Sequence, residues 1–173
     1  MGKSNNKKDH EFLEYVYKLN EGRELIEAFE LSLKDIDEIN IDQLQKIGQR
    51  TYAEGKWTIH TILQHLIDWE RVWCYRAIIF ARHEGSIPDA HDQEIMAENS
   101  NANKRTIEDL LNELRIVRQS SIILFKSFSN ELLETNCEFF EYEMPLSAIG
   151  LTIIAHQIHH INIINERYIP LDV

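Results

Sequence analysis

Three histidines in this sequence have the spacing and surroundings that metal chemistry requires. His156 and His160 are four residues apart in a strongly apolar segment. On a helix this spacing stacks two side chains one turn apart on the same face, whereas His159 turns to another side. A single helix can in this way offer two imidazoles to one metal ion, without a loop to place them.

His65 is the third candidate ligand, and it belongs to a different helical segment. At about 100° of rotation per residue, His65 falls on the stripe of its segment that faces the core, among large apolar and aromatic residues. Asp68 lies one turn further along the same face. Its carboxylate is a candidate catalytic group, because it could hold His65 in one tautomer or act as a base. The other interpretation is a carboxylate at the helix surface.

A shared cation would explain three imidazoles in a core. Neutral imidazoles are costly to bury together unless their lone pairs are satisfied, and a divalent cation satisfies them. Three protein ligands leave an open coordination position, which is typical of catalytic sites. An ion with an open position acidifies a bound water or thiol and so yields a nucleophile near neutral pH. A polar core without metal is the alternative interpretation.

The remaining histidines and two arginines have simpler interpretations. Four histidines near helix ends, on polar faces or in a loop are predicted to lie at the surface, namely His10, His60, His83 and His91. Arg76 and Arg167 fall on core-facing stripes, which is unusual for Arg. A buried ion pair with a carboxylate such as Glu70 or Glu166 is the favoured interpretation. In the alternative, one arginine receives the carboxylate of a thiol cofactor.

Four long helices must position these groups. Apolar residues recur at steps of three and four over residues 9–36, 58–83, 106–128 and 145–169. Thr58 is predicted to cap the second helix, and Pro145 suits the first turn of the fourth. A polar loop over residues 84–105 joins the second and third helices, and loops of this length are typically functional or crossovers. A short helix is predicted within residues 39–52 and an extended stretch within 137–144.

These elements indicate an all-α fold, a four-helix bundle. The fourth helix is apolar on a second side as well, at Leu151, Ile154, Ile158 and Ile161. A helix that is apolar on two sides either lies at the centre of its fold or contacts a second chain. A homodimer is therefore a further expectation.

Length and composition set the class of the protein. With 173 residues, 43% of them apolar and 27% charged, the chain is predicted to form one domain over residues 1–173. The net charge of −11 disfavours nucleic acids and anionic membranes as partners. No apolar run reaches the length of a membrane span. A polar N-terminal segment and only two cysteines lead us to expect a cytoplasmic protein with reduced thiols.

Three runs of the sequence, taken together, resemble a known family. The run from Tyr52 to Arg71, YAEGKWTIHTILQHLIDWER, is similar to the second-helix signature of the DinB superfamily of DinB/YfiT-like proteins. The run from Ala155 to Pro170, AHQIHHINIINERYIP, resembles the last helix of that family, and ELRIVR at 113–118 resembles the third. The resemblance covers nearly the whole chain.

The resemblance implies a four-helix bundle with an up-down-down-up course and a long crossover. It implies one divalent metal ion, often nickel or zinc, held by His65, His156 and His160. Many members are dimers, and characterised relatives include thiol transferases that use low-molecular-weight thiols and an isomerase that acts on a thiol adduct. His91 stands where several relatives carry an aromatic residue, before Asp92 and Gln93, in a loop expected to border the metal pocket.

The sequence leaves two classes of function open. One is a metal-dependent enzyme acting on a small molecule, either a hydrolase or a thiol S-transferase with a low-molecular-weight thiol as cosubstrate. The other is a non-catalytic, stress-related module that binds metal and associates through the bundle. The count of three ligands favours the enzyme, whereas a fourth protein ligand would favour the module.

Overall fold

A computed structural model of the chain describes residues 6–84, 90–139 and 142–172, with all of their side chains except those of 6–10, 138–139 and 142. In these ranges the α-helices are α1 (Asn6–Leu19), α2 (Leu25–Asp37), α3 (Ile41–Ile47), α4 (Ile59–Ala81), α5 (Gln93–Asn99), α6 (Ile107–Lys126), α7 (Asn130–Leu133) and α8 (Leu146–Ile163). The strands β1 (Asn136–Phe139) and β2 (Tyr142–Pro145) pair antiparallel. Short helical turns span Ala102–Lys104, Ile164–Tyr168 and Ile169–Leu171.

The predicted starts of two long helices are confirmed by their N-caps. The Thr58 hydroxyl oxygen accepts a hydrogen bond from the Thr61 N–H at 3.1 Å, directly before α4. The Thr106 hydroxyl oxygen accepts one from the Asp109 N–H at 3.0 Å, directly before α6. Each cap satisfies an N–H group that a helix start otherwise leaves without a partner. Pro145 precedes α8, and the predicted short helix is α3.

The predicted first helix over residues 9–36 is wrong in one respect, because it is broken into α1 and α2. Glu21 and Gly22 have φ angles of +54° and +68°, in the left-handed region that ends helices. The Asn20 amide nitrogen holds the break in place by donating to the carbonyl of Val16 at 2.8 Å and to that of Leu151 at 3.1 Å. The apolar repeat continues across the break, so periodicity alone did not reveal it.

The predicted polar loop between the second and third long helices contains a helix of its own. The Asp92 carboxylate caps α5 by accepting from the N–H groups of Glu94 at 2.9 Å and Ile95 at 3.1 Å. The glycine and proline of this loop, Gly85 and Pro88, lie outside the described residues. The predicted extended stretch is confirmed as the hairpin of β1 and β2.

The helices α4 and α6 are parallel neighbours. Arg71 forms an ion pair with Glu113 at 2.7 Å, and further along both helices the Cys74 sulfur lies 3.2 Å from the Ser121 hydroxyl. Parallel neighbours that are consecutive long helices cannot be joined by a tight turn, since the chain must return the whole length of the bundle. The segment from Arg82 to Thr106, which includes α5, makes this crossover.

The other long helices run in the opposite direction to this pair. The helix α2 is antiparallel to α6, because Asp37 pairs with Arg115 at 2.5 Å and Glu30 with Lys126 at 2.6 Å. The helix α8 is parallel to α2, since Gly150 lies against the first residues of α2 and a later residue of α8 bonds to Ser32. The course of the four long helices is therefore up, down, down and up, as the resemblance implied.

The helix α8 lies at the centre of the fold, packed against α1, α2 and α4. Leu151 and Ile154, on its second apolar side, are buried, and Ile158 and Ile161 are half-buried. Central burial within one chain thus accounts for most of the second apolar side, and the homodimer stays a prediction. In the part of the chain that the structure describes, no helix combines the length and apolar content needed to cross a bilayer.

A layer of polar side chains divides the core into two apolar clusters. Arg118 donates to both oxygens of the Glu70 carboxylate, at 2.8 and 2.9 Å, and the Ser121 hydroxyl donates to the same carboxylate at 2.7 Å. Arg118 also bonds to the hydroxyl of Ser32, whose carbonyl accepts from the Gln157 amide at 2.9 Å. This polar layer therefore joins all four long helices, and its charged groups are almost completely buried.

The two arginines singled out in the sequence differ in their surroundings, and only Arg167 departs from its predicted core-facing position. Arg76 is buried, as its stripe indicated, and its guanidinium lies 5.0 Å from the ring centre of Trp73 and 5.7 Å from that of Trp69. The carboxylate predicted as a partner, Glu70, instead pairs with Arg118. Arg167 is exposed, because the helix changes to a wider turn after Ile163 and its face rotates away from the core.

We predict that Arg118→Met lowers the free energy of unfolding by about 3–5 kcal/mol, because it leaves the Glu70 carboxylate buried without its counterion. Lys126→Met, which removes the exposed pair with Glu30, should cost no more than about 1 kcal/mol. Urea unfolding followed by circular dichroism measures both. Equal small losses in the two variants would contradict the structural importance of the buried pair.

Candidate metal centre

The structure brings His65, His156 and His160 together. The Nε2 atom of His156 lies 2.9 Å from that of His65 and 3.1 Å from that of His160. One nitrogen from each ring can be chosen so that all three lie within 4.8 Å of one another. Two nitrogens that bind the same zinc ion at about 2.0–2.1 Å in tetrahedral geometry are about 3.3 Å apart. The three imidazoles, called the histidine cluster below, therefore have the separation that a single ion requires.

Two antiparallel helices place the cluster. His65 lies in the second turn of α4, whereas His156 and His160 occupy successive turns near the end of α8. The indole of Trp57, just before α4, covers the cluster, with its ring centre 4.8 Å from that of His65 and 6.4 Å from that of His160. The three rings are thus held at one end of the bundle, between α4, α8 and the Trp57 indole.

The electrostatics of the cluster suit metal binding. Burial, with a smaller contribution from His160, lowers the pKa of His65 to about 3. Burial and the neighbouring His159 lower the pKa of His160 to about 4. The pKa of His156 also falls well below its usual value, because of burial and then the neighbouring imidazoles and Arg118. All three rings are therefore neutral at pH 7, with nitrogen lone pairs available for a cation.

A bound cation would satisfy the nitrogen lone pairs of these three histidines better than hydrogen bonds among the rings can. A neutral imidazole carries one N–H donor and one acceptor nitrogen, so three converging nitrogens cannot all be satisfied by one another. A divalent ion would accept the lone pairs of all three Nε2 atoms at once.

Two clefts open on either side of the cluster. The aromatic cleft, of about 280 Å³, is lined by Phe12, Tyr15, Trp69, Trp73, His156 and His159. The polar cleft, of about 220 Å³, is lined by Tyr52, Lys56, Trp57, Glu94, His160 and Tyr168. Gln93 lines both clefts, so the crossover segment borders the site, as the resemblance implied.

The remaining sequence candidates lie outside the cluster. His159 is exposed and its Nδ1 atom bonds to the Tyr15 hydroxyl at 2.8 Å, in agreement with the prediction that it turns away from the pair. His83 and His91 are exposed as predicted, whereas His60 is buried and the prediction of a surface position is wrong. His60 lies in the first turn of α4, the helix against which α5 of the crossover packs. The side chain of His10 lies outside the described residues.

Asp68 is half-buried on α4, and its described hydrogen-bond partner is Gln64, which donates to it at 2.9 Å. The side-chain amide oxygen of Gln64 in turn accepts from the Arg105 guanidinium at 2.8 Å. Burial raises the pKa of the Asp68 carboxyl, although the Gln64 bond and the charges of Arg71 and Arg105 oppose the increase. Asp68 is not among the described residues that line either cleft. Its catalytic role therefore stays a prediction.

Several residues of the site had no clear signal in the sequence. Tyr15 reaches His159 across 144 positions of the chain, and Gln93 comes from a segment predicted to be loop. Trp57 precedes the helix cap, which gives it a packing role in a sequence-based interpretation but does not place it over an imidazole. Its indole N–H also donates to the Glu94 carboxylate at 3.1 Å, and this bond ties α5 to the site.

Comparison with known proteins places the chain in a family. A model of the DinB superfamily matches residues 25–164, which include the whole histidine cluster. The chain belongs to the DinB superfamily. Curated proteins gave no match in sequence.

A solved structure has the same fold as this DinB-superfamily chain. It is YfiT from Bacillus subtilis, described as a probable metal-dependent hydrolase with an unusual four-helix bundle topology. The TM-score is 0.66 at 18% sequence identity, over 87% of this chain and 84% of YfiT. At this identity the likeness establishes the four-helix-bundle fold alone.

We predict that His160→Ala removes most of the bound divalent metal, whereas His159→Ala retains most of it. The first variant removes one of the three converging nitrogens, and the second removes only an exposed ring bonded to Tyr15. Mass spectrometry of metal content after loading with nickel or zinc measures the difference. Equal losses would contradict the proposed ligand set.

The metal-free protein should lose stability as the pH falls below about 6.5. The pKa of His65 is about 3 in the folded protein and about 6.5 when unfolded, so the unfolded chain binds the extra proton. Stability is then complete above pH 6.5 and decreases towards pH 3, by on the order of 2 kcal/mol for this imidazole at pH 5. Urea unfolding at pH 7 and pH 5 measures it.

The matched controls for this pH effect are His65→Gln and His83→Gln. The first should reduce the difference between pH 7 and pH 5, because glutamine does not titrate. The second should leave it unchanged, since His83 is exposed. A difference that stays the same in His65→Gln would show that other groups cause the acid sensitivity.

Proposed function

We propose that this protein is a divalent-metal-dependent hydrolase. The observation that carries the proposal is the convergence of the Nε2 atoms of His65, His156 and His160 in a buried position between two clefts. Three protein ligands leave a position for water or substrate. The description of YfiT as a probable metal-dependent hydrolase supports the same class of reaction.

The residues of the chain have separable tasks in this proposal. The histidine cluster would hold the ion, which supplies Lewis acidity and lowers the pKa of a water or thiol bound to it. Burial keeps the imidazoles neutral, so they stay available as ligands down to acidic pH. Trp57 covers one side of the cluster. Nickel and zinc are the proposed ions, because imidazole ligands suit both.

Thiol S-transfer is the second candidate. Two separate clefts, one aromatic and one polar, leave room for two reactants on either side of the cluster. A low-molecular-weight thiol in one cleft would be activated in the same way as water. A non-catalytic metal-binding module is less well supported, because the cluster found among the described residues contains three ligands and no fourth.

Asp68 is proposed as a catalytic group that either holds His65 in one tautomer or acts as a base. Its raised pKa brings the carboxyl closer to the range in which a base works at neutral pH. The isosteric variant Asp68→Asn, with metal content measured beside turnover, distinguishes this role from a purely structural bond to Gln64.

We predict that nickel- or zinc-loaded protein hydrolyses 4-nitrophenyl acetate and that His156→Ala lowers this turnover by about 100-fold or more, since it removes the central ligand. His83→Ala, which removes an exposed histidine, should remain within twofold of the unchanged protein. A parallel assay conjugates cysteine to 1-chloro-2,4-dinitrobenzene. Fully loaded protein that is inactive in both assays would favour the non-catalytic module.

A further inference from the structure

The two clefts beside the histidine cluster differ in chemical character. The walls of the aromatic cleft are Phe12, Trp69 and Trp73, over a floor that includes the buried Val16 and Ala155. Among the described residues no carboxylate and no lysine lines this cleft. Small-molecule sites with such walls bind apolar or aromatic groups. The volume of about 280 Å³ suits one ring with a short chain.

The polar cleft contains a positively charged side chain that is available to a ligand. Lys56 lines it and is exposed, directly after Gly55, whose φ of +72° allows the tight turn before α4. Among the described residues no carboxylate forms an ion pair with the Lys56 ammonium. Among the described residues that line this cleft, Glu94 carries the one carboxylate, and it already accepts hydrogen bonds from Trp57 at 3.1 Å and Gln93 at 3.4 Å.

The histidine cluster connects the clefts. His156 faces the aromatic cleft and His160 the polar cleft, and their Nε2 atoms are 3.1 Å apart. Gln93 borders both clefts. A molecule that fills both clefts therefore has its middle beside the cluster, which is where the reacting bond of a substrate must lie.

We propose that the substrate is an N-acyl amino acid that spans the two clefts, with its apolar acyl group in the aromatic cleft and its carboxylate at Lys56. This inference rests on the proposed hydrolase function. Hydrolysis would form a bond from the water oxygen to the acyl carbon and break the carbon–nitrogen bond. Both protons of the water pass to the departing amine, which leaves as an ammonium group beside the acyl carboxylate.

Two probes that differ only in charge test the assignment. N-phenylacetylglycine carries the carboxylate, and N-phenylacetylglycinamide replaces it with a neutral amide. Calorimetric titration of the metal-free protein avoids direct binding of the carboxylate to a metal ion. We expect the acid to bind about three- to fivefold more tightly than the amide, the range of an exposed ion pair.

Variants of the lining residues test which cleft holds each half of the probe. Lys56→Met should abolish the preference for the acid, whereas the matched control Lys46→Met, which removes an exposed lysine on α3, should retain it. Trp73→Ala should weaken both probes equally, by about tenfold, because it removes apolar wall without changing charge. No preference in the unchanged protein, no binding of either probe, or a preference that survives Lys56→Met would overturn the proposal.

Turnover separates this proposal from the proposed function. Nickel- or zinc-loaded protein should release glycine from N-phenylacetylglycine faster than glycinamide from the neutral probe. Hydrolysis of 4-nitrophenyl acetate without a Lys56-dependent preference would overturn the substrate assignment alone. Lys56-dependent binding of the acid to a loaded protein that hydrolyses nothing would instead overturn the hydrolase and leave the cleft assignment standing.

Discussion

The buried ion pair between Glu70 and Arg118 is the contact on which the rest of the arrangement depends. Two charges in an apolar core are tolerated only when each is fully paired, and here the pair is bidentate and supported by Ser32 and Ser121. Because these bonds join α2, α4 and α6, and Gln157 of α8 bonds to the same layer, sliding one helix would break them. The layer thus sets the longitudinal register in which the three imidazoles meet.

The parallel arrangement of α4 and α6 imposes a second constraint. The chain must return along the bundle between them, and the returning segment passes the end at which the histidine cluster lies. In doing so it places Gln93 between the two clefts and Glu94 under the Trp57 indole. The crossover that the topology requires therefore also completes the walls of the candidate site.

Local and periodic features of the fold were predictable from the sequence, and contacts between distant segments were not. Helical spacing was enough to choose His156 and His160 over His159, and a side-chain oxygen at Thr58 was enough to place the start of α4. The break at Gly22 was missed because the apolar repeat continues through it. The partner of Glu70 was missed because Arg118 lies on a different helix, and only the three-dimensional register brings the two side chains together.

The packing of Gly150, which lies well outside the site, affects the helix that carries two of the three imidazoles. A methyl group there would lie 2.7 Å from a Leu25 methyl carbon and 3.0 Å from the Phe125 ring. Gly150 lies roughly 9 Å along the helix axis from His156, and a stiff helix transmits a push at one point along its length. The absence of a side chain at this position therefore lets α8 approach α2 and α6 closely, and a single added carbon would require Leu25, Phe29 or Phe125 to shift against the helix that carries two of the three imidazoles.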